Sequence, residues 1–483
     1  MKVALIHPRL YVKAYDFFPL GLGYIASALE QKSIATSFHD LHKDWMKTSD
    51  LVKKISNEEA PDLFALSAMI TSLTQTAEIC RALKRHFPHS KIVLGGRISV
   101  LDPAFIFRHI RTDYIIKGEG EVAIIELIEM LEGKRAPHQV QGLAFRDEAG
   151  EIRSNGEAAR ITDVSDYPIY YRSFDIARYI SRRTVQSPNL PSLNMLSARG
   201  CPYACTFCNF SKENNHRLRA YGLGLLEEAW DYLREHHGLR HVTFNDDIFT
   251  VNPQRLRDVC QSLRDRRLAF SCSTRLDCLD EDMITLLEES GCRYLCLGIE
   301  SPAAAVAEII DKKLDLGKCQ RNIDLLKKTR MTVNFGFMIG HAGETEETIR
   351  ETRDFVLKNR VIYSAFFATA FPETKLYDLV RSRIPDEEEY LLKLSTVDLS
   401  ADYPVNMTAI PKSKLYRLRD GLVADSVLNV LKVRNPAVQY LLHGCFVAYL
   451  VFMRRFGLKR AVFKRIFEFL NIVVVKPLIS SSE

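Results

Sequence analysis

The stretch RGCPYACTFCN, residues 199–209, decides the fold of the second half of the chain. It places Cys201, Cys205 and Cys208 in one loop, directly after an apolar run at 193–197 that is typical of a β-strand. Three thiolates can hold a four-iron cubane cluster and leave its fourth iron open to an exogenous chelating ligand. A structural zinc loop is the alternative, but zinc sites of that kind normally close with four protein ligands, and no fourth is obvious nearby. The spacing therefore favours a 4Fe-4S cluster.

Outward from this loop, apolar runs alternate with helical patterns toward the carboxyl end. Strands are predicted at residues 193–197, 241–244, 270–274, 294–297, 333–338 and 365–370. Since strands alternating with helices build parallel sheets, we expect a partial (βα)6 TIM-like barrel. From about residue 395 the pattern becomes helical, apolar and basic, which predicts a helical C-terminal region.

The amino-terminal part shows the same alternation. Strands are predicted at residues 3–6, 34–38, 63–66, 92–94 and 114–116. Five such units predict a doubly wound, flavodoxin- or Rossmann-like domain whose ligands bind beyond the carboxyl ends of its strands. A hairpin is predicted over residues 142–153. The expected domains are residues 1–135 for the front α/β domain, 136–190 for a linker with the hairpin, 191–392 for the barrel and 393–483 for the helical end.

Polar residues and glycines just after the front strands are the candidates for ligand contact. They are His7, Ser67, Gly95, Gly96, Gly118 and Glu119. Glycine lets a backbone approach a ligand closely, although a single glycine is more often a turn residue. Their repetition at one edge of the predicted sheet favours a binding site there.

The spacing Cys-x-x-x-Cys-x-aromatic-Cys resembles the signature of the radical S-adenosylmethionine superfamily, with Phe207 as the aromatic residue beside the adenine. The resemblance implies that S-adenosylmethionine (SAM) occupies the open iron and yields a 5′-deoxyadenosyl radical that abstracts hydrogen from unactivated carbon. It also implies SAM contacts at the ends of the second and fourth barrel strands. These residues are Asn245, Asp246, Asp247, Gly298, Glu300 and Ser301. A helix cap is an equally good interpretation of the Asp pair, and no residue is assigned as catalytic.

Two departures from that superfamily stand in the later barrel loops. Ala342 replaces the usual proline in the turn at residues 340–345. Residues 371–374 read FPET where relatives commonly have Pro-Gly-Thr, so substrate contacts in that loop are less transferable.

The glycine motifs at residues 19–24, 95–96 and 118–121, standing before such a barrel, resemble the cobalamin-binding-domain radical SAM enzymes over roughly residues 1–390. That family includes methyltransferases acting on unactivated carbon or phosphorus, and the anaerobic cyclase that makes the fifth ring of chlorophylls. The resemblance implies that one SAM supplies a methyl group by way of cobalamin while a second furnishes the radical.

Other cobalamin domains carry Asp-x-His-x-x-Gly after the first strand, which gives cobalt an axial histidine. Asp40 and His42 imitate its beginning, but they follow the second strand, and Trp45 stands in the place of the glycine. We therefore expect cobalamin bound without a lower axial histidine. A domain that no longer binds cobalamin is the alternative.

Charge and hydropathy separate the tail from the rest. The net charge is +6, and residues 411–483 hold thirteen Lys or Arg against four Asp or Glu, so the preceding 410 residues carry −3. This distribution speaks against a nucleic-acid partner, which would need a basic binding face. Apolar and basic residues alternate over 452–469, which fits either a helix on an anionic membrane surface or a helical lid on the barrel. The sequence starts without a signal peptide, so we expect a cytoplasmic enzyme, with membrane contact through the tail as an option.

The sequence thus predicts a radical SAM enzyme, namely a cobalamin-dependent methyltransferase acting on an unactivated carbon of a hydrophobic biosynthetic substrate such as a lipid, tetrapyrrole or natural product. Flavodoxin or ferredoxin is the expected class of electron donor. A cyclase, oxidase or carbon–carbon coupling enzyme without net methyl transfer is the alternative. A tRNA methylthiotransferase is disfavoured because it needs three more cysteines in the front domain, where Cys80 stands alone.

Overall fold

Two seven-stranded sheets form the frame of the molecule in the computed structural model. The structure describes residues 1–10, 17–183, 186, 188–209, 217–361, 363–397, 402–430 and 447. The basic, amphipathic tail singled out in the sequence lies outside the described residues beyond 430. Within the described residues, no helix is both long enough and apolar enough to cross a lipid bilayer.

The front sheet has the strand order β2-β1-β3-β4-β5-β6-β7, in which the first five strands are parallel and the last two antiparallel. Its strands are β1 (Lys2–His7), β2 (Ala35–Asp40), β3 (Leu63–Ser67), β4 (Lys91–Gly95), β5 (Tyr114–Ile116), β6 (Leu143–Arg146) and β7 (Ile152–Ser154). The order reverses between β1 and β3, and a ligand crevice forms at such a switch point, outside the carboxyl ends of the strands. The predicted doubly wound fold is confirmed.

Helices cover both faces of the front sheet. They are α1 (Leu20–Gln31), α2 (Leu41–Asp44), α3 (Thr48–Ser56), α4 (Leu73–His86), α5 (Pro103–His109) and α6 (Gly120–Leu131). Side chains alternate along a strand, so Val3 and Leu5 pack under α1 and α6 while Ala4 and Ile6 face the other side. The core on that other side continues without interruption into the barrel, so the two domains share one hydrophobic core.

The second sheet has the order β16-β15-β14-β13-β12-β9-β8, and all its strands except β8 run parallel. Its strands are β8 (Ser181–Arg183), β9 (Pro188–Met195), β12 (His241–Phe244), β13 (Ala269–Arg275), β14 (Cys292–Glu300), β15 (Thr332–Ile339) and β16 (Tyr363–Phe367). A short antiparallel pair, β10 (Ala198–Arg199) and β11 (Arg219–Ala220), stands apart from it. Six parallel β-α units form the half barrel that the sequence predicts.

The barrel helices follow its strands, and two further helices come after the last strand loop. They are α7 (Leu223–His237), α8 (Pro253–Asp265), α9 (Glu281–Glu289), α10 (Ala304–Ile309), α11 (Leu316–Leu326), α12 (Glu346–Asn359), α13 (Lys375–Val380), α14 (Glu387–Leu394) and α15 (Lys412–Val430). Asp280, Asp315 and Thr345 cap three of them through their side chains, which satisfies backbone donors that a helix start leaves free. Arg353 on α12 pairs with Asp425 on α15 at 2.6 Å and ties the last described helix to the barrel.

The hairpin of β6 and β7 pairs with β5 and therefore extends the front sheet rather than standing between the domains. The domain bounds at 135, 190 and 392 stay predictions. The described residues after 392 are largely helical, in keeping with the expected C-terminal region.

Candidate active site

The cysteine loop starts immediately after β10, and aspartates that follow β12 hold its entry. The carboxylate of Asp246 is buried, with 4% of the residue exposed, and accepts hydrogen bonds from the Ser197 backbone N at 2.7 Å and from the Ser197 hydroxyl. Asp247 Oδ2 accepts from the Gly200 backbone N at 3.2 Å. The two aspartates thus set the path of the backbone directly before the first thiol.

The far side of the cysteine loop is held by backbone contacts with distant elements. Thr206 N donates to Ile310 O at 3.0 Å, and Leu376 N donates to Thr206 O at 2.9 Å. The loop is therefore fixed between the end of α10 and the start of α13. Cys201, Cys205 and Cys208 all remain partly exposed and free of disulfides.

The three thiols lie in a partly desolvated and cationic environment. Burial raises the pKa of Cys205, whereas the charges of Lys312 and Arg275 act in the opposite direction. Arg275 Nη1 lies 3.9 Å from Cys205 Sγ, and its guanidinium also stacks on Tyr203 at 4.0 Å from the ring centroid. Cations beside cysteine sulfur favour the thiolate, the form in which cysteine binds metal.

The donor set fits an iron–sulfur cluster. Burial raises the pKa of Cys201 to about 11, and the negative charge of Cys208 and then of Cys205 contributes to the rise, so the thiols lie within each other's field. Among the described residues, no three His, Cys, Asp or Glu side chains are arranged to share a single metal ion. A cluster does not require that arrangement, because each thiolate binds a different iron.

Phe207 packs on α10 beside the thiols. Its ring contacts the small apolar cluster of Ala303, Val306 and Ile310, and its centroid lies 6.0 Å from that of His341. Burial lowers the pKa of His341 to about 4, so this imidazole is neutral at ordinary pH. Phe207 and His341 together make an aromatic wall beside the cysteine loop.

The polar residues after β12 divide into two kinds. Asn245 and Asp247 are exposed in the space above the barrel, whereas Asp246 is buried and serves the Ser197 backbone. Burial raises the pKa of Asp246 to about 6. Asp246 thus acts only through the loop that it holds, whereas Asp247 holds the loop at Gly200 and is also exposed, as Asn245 is.

The end of β14 carries an ion pair in a strained turn. Glu300 has φ +68°, in the left-handed region that non-glycine residues rarely adopt, and its Oε1 lies 2.9 Å from Lys312 Nζ. A Cβ added to Gly298 would lie 2.5 Å from Glu300 Oε1 and 2.9 Å from Lys312 Nζ. Only glycine leaves room for this pair. Ser301 is fully buried, and its Oγ accepts from the Ala303 backbone N at 3.3 Å, so it serves the start of α10.

The glutamate and lysine suit the amino-acid end of SAM. A carboxylate beside an ammonium complements a zwitterion that carries an amino and a carboxylate group. Glu300 and Lys312 fit this role because both side chains lie close to the thiols, as their charges act on the pKa of Cys205. The residues present therefore fit SAM bound next to the cysteine loop.

In the front domain, the loops after β3 and β4 touch through Gly96. Gly96 has φ +81°, and a Cβ there would lie 2.8 Å from Ala68 O and 2.9 Å from Ser67 Oγ. Gly21, at the start of α1, would place a Cβ 3.8 Å from the same hydroxyl. These close approaches let the loops after β3 and β4 and the start of α1 pack together at the carboxyl end of the sheet, the edge at which ligands of doubly wound folds bind.

The other front-domain candidates have protein partners. His7 Nδ1 lies 3.0 Å from Asp40 Oδ1, which also accepts from the His42 backbone N at 3.0 Å. Gly118 has φ +101° and packs against the backbone of residue 158. Gly95 lies close to Ile116 O and shows no positive φ. Glu119 points to the barrel, where its carboxylate pairs with Arg219 at 2.8 Å.

Sequence reasoning missed Arg97, Arg275 and Lys312. Arg275 ends β13, so its position at the carboxyl end of a barrel strand was a usable signal. Lys312 lies beyond α10 and Arg97 follows a glycine pair in the other domain, and neither has a local pattern that points to the thiols. Burial lowers the pKa of Arg97, while the charges of Cys208, Asp247 and Glu373 act against that shift, so this front-domain side chain lies within the electrostatic field of the cysteine loop.

Comparison with known proteins agrees with this geometry. The sequence profile of the B12 binding domain matches residues 7–128, and that of the Radical SAM superfamily matches residues 195–356. The chain is therefore a radical SAM enzyme with a B12 binding domain. This assigns it a 4Fe-4S cluster, SAM and cobalamin, the three cofactors predicted from the sequence.

Three proteins illustrate the range of the similarity. An uncharacterized methyltransferase of Pyrococcus horikoshii is 26% identical over 74% of this chain and 78% of its own length. The anaerobic magnesium-protoporphyrin IX monomethyl ester cyclase of Cereibacter sphaeroides is 25% identical over 80% of this chain and 64% of its own length. The radical SAM methyltransferase TsrM of Kitasatospora setae, solved with cobalamin and a 4Fe-4S cluster, shares the fold with a TM-score of 0.68, 16% identity and coverage of 90% and 89%.

Proposed function

We propose that this enzyme transfers a methyl group to an unactivated carbon of a hydrophobic biosynthetic substrate. When bound, the cluster and SAM supply a 5′-deoxyadenosyl radical, and cobalamin supplies the methyl group. Such chemistry needs both cofactor sites to open onto one substrate space. The structure must therefore bring the front crevice next to the cysteine loop.

The nearness of the carboxyl end of the front sheet to the cysteine loop is the observation that carries the proposal. Glu119, which follows β5, pairs with Arg199 on β10 at 3.3 Å and with Arg219 on β11 at 2.8 Å. These ion pairs support a single gap bordered by both cofactor sites, and the charges of Cys208 and Asp247, which act on the guanidinium of Arg97 beside Gly96, agree with it. A front domain that served only as a spacer would not need its ligand edge there.

We propose specific roles for the site residues. Cys201, Cys205 and Cys208 hold the cluster, and Arg275 stabilises its negative charge from beside Cys205. Asn245, Asp247, Gly298, Glu300 and Lys312 form the SAM site, closed on the adenine side by Phe207. The corrin site comprises the backbone around Ser67, Gly95 and Gly96, with His7 and Gly118 at its margin.

The experiment is anaerobic reconstitution with iron, sulfide and hydroxocobalamin, followed by incubation with SAM and a strong reductant. Mass spectrometry for 5′-deoxyadenosine and S-adenosylhomocysteine is the readout. Both products together support methyl transfer, whereas 5′-deoxyadenosine alone supports the cyclase or oxidase alternative. Absence of bound corrin after reconstitution would overturn the methyl-transfer proposal.

Substrate and reductant are proposed at the level of chemistry. The chain aligns with enzymes whose names include a tetrapyrrole ester cyclase, which supports a hydrophobic substrate of this size class. Flavodoxin or ferredoxin is the proposed electron donor, and the cytoplasm the proposed location. The membrane-contact hypothesis concerns the tail beyond residue 430 and is tested by flotation with anionic liposomes against a chain ending at 430; equal behaviour of the two would refute it.

A further inference from the structure

The half barrel has an open side. Its six parallel strands end in β9 on one edge and β16 on the other, and within the described residues these two strands do not pair with each other. The loop after β9 leads to the cysteines, and the loop after β16 holds Glu373. Whatever bridges these two loops determines the width of the opening in which the chemistry takes place.

One end of a front-domain segment grips the loop after β9. Glu119 binds Arg219 with both carboxylate oxygens at 2.8 Å, and it also approaches Arg199 at 3.3 Å. Glu121 Oε1 lies 2.7 Å from Arg199 Nη2. The four side chains are between 5% and 19% exposed, so solvent screens these ion pairs little.

Two tyrosines pack against the guanidinium of Arg199 and support these ion pairs. The guanidinium of Arg199 lies 4.3 Å from the Tyr24 ring centroid and 5.7 Å from that of Tyr221, and the two rings stack at 5.6 Å. Arg199 Nε also donates to the Tyr221 hydroxyl at 2.8 Å. Arg199 stands two residues before Cys201, so the contacts that fix Arg199 also fix the backbone that leads to the first thiol.

The other end of the same segment grips the loop after β16. Lys117 Nζ lies 2.6 Å from Glu373 Oε1. Glu373 has φ +64°, a conformation that favours glycine. A residue in a strained backbone conformation persists only where surrounding contacts stabilise it. The ion pair with Lys117 is such a contact for Glu373.

We propose that residues 117–121, the strap, close the open side of the half barrel and set the separation between the cysteine loop and the front crevice. Lys117, Glu119 and Glu121 are positioning residues that act through Glu373, Arg219 and Arg199. The part of the proposal that concerns the corrin rests on the proposed function. The closure of the barrel stands on the described contacts alone.

The first test uses the full chain without corrin and measures amide hydrogen exchange by mass spectrometry. In Glu119→Gln and Glu373→Gly, exchange over residues 198–209 and 363–374 should quicken about tenfold, since the loops lose the segment that joins them. Glu157→Gln is the matched control, because Glu157 lies 3.8 Å from Lys117 with its side chain 49% exposed. If amide exchange is unchanged in both Glu119→Gln and Glu373→Gly, the proposal that the strap closes the half barrel is overturned.

A charge swap separates pairing from general damage. Lys117→Glu combined with Glu373→Lys should recover protection to within about twofold of the native chain, while each single change should not. If the double variant is as unprotected as the single ones, the ion pair does not carry the closure. This comparison also serves if Glu119→Gln fails to fold.

The second test measures the cofactor separation by pulsed electron paramagnetic resonance between cob(II)alamin and the reduced cluster. Glu373→Gly should broaden the dipolar distance distribution, whereas a merely stabilising role would lower the melting temperature and leave the distance unchanged. A narrow, native distance in Glu373→Gly would overturn the positioning role. Failure to bind corrin would refute the proposed function and leave the exchange result to decide the closure.

Discussion

The front sheet and the barrel sheet use different chemistry at their carboxyl ends. Around Gly96 the front domain offers bare backbone, with a Cβ excluded at 2.8 Å from Ala68 O. Around Cys205 the barrel offers charged and sulfur-bearing side chains, among them Arg275 at 3.9 Å and the pair of Glu300 and Lys312. A flat, bulky ligand is held by shape and needs clearance, whereas a charged cluster and a zwitterion are held by point contacts. Mutations in the two regions should therefore fail in different ways.

The largest difference should come from removing a thiol. Cys205→Ala deletes one of three cluster ligands, so we expect loss of the cluster absorption and a fall in 5′-deoxyadenosine formation of about a thousandfold or more, while corrin binding stays near native. Cys80→Ala is the control, because Cys80 is fully buried in α4. Iron and sulfide analysis with product quantitation is the measurement. Retention of the cluster in Cys205→Ala would contradict the assignment of Cys205 as a cluster ligand.

The reverse pattern is expected at the front crevice. Gly96→Ala forces a Cβ to within 2.8 Å of Ala68 O at φ +81°, so the loops after β3 and β4 must shift where we propose that corrin binds, and we expect corrin affinity to fall about 30-fold, or about 2 kcal/mol. Gly133→Ala is a matched control, since Gly133 has φ +75° with nothing within 4 Å of an added Cβ. Equilibrium titration with hydroxocobalamin measures the effect. Equal losses in the two variants would mean that the crevice has no special need for clearance.

A smaller effect is expected for the amino-acid end of SAM. Lys312→Met removes the cationic partner of Glu300 and leaves its carboxylate unpaired. This change should weaken SAM binding by about tenfold, or about 1.4 kcal/mol, with the cluster intact. Lys313→Met is the control because the neighbouring Lys313 side chain is 90% exposed. SAM-induced changes in the electron paramagnetic resonance of the reduced cluster give the affinity. Similar affinities for the two variants would remove Lys312 from the site.

The smallest effect concerns Glu344, a buried carboxyl group in the loop after β15. Burial raises the pKa of Glu344 to about 8 from 4.5, so the contribution of Glu344 to the free energy of unfolding is largest below pH 4.5 and is lost as the pH rises through 8. Glu344→Gln should flatten this fall by about 1 kcal/mol, as urea unfolding at several pH values would show. Glu347→Gln, at an exposed position in the first turn of α12, should keep the native slope. Parallel slopes in all three proteins would contradict a neutral Glu344.

The difference between the two regions also explains which site residues could be predicted. The cysteine loop and the Asp pair after β12 follow from local spacing, because ligands of one loop are close in sequence. Spacing did not distinguish Asp246 from Asp247, since only the turn after the strand decides which carboxylate is buried against Ser197. Glu119 was predicted as a corrin contact from its place after β5, yet its carboxylate pairs with Arg219, because the barrel lies closer to it than the crevice does.

By itself, the sequence determined the two β-α series, the order of the domains and the three thiols, because periodic burial and ligand spacing are local properties of the chain. Only the tertiary structure decided that Lys312 pairs with Glu300 and that residues 117–121 contact both edges of the half barrel through Glu373 and Arg219. These contacts join residues that are distant in sequence, and such pairs are selected by the packing of whole sheets, which no local pattern encodes.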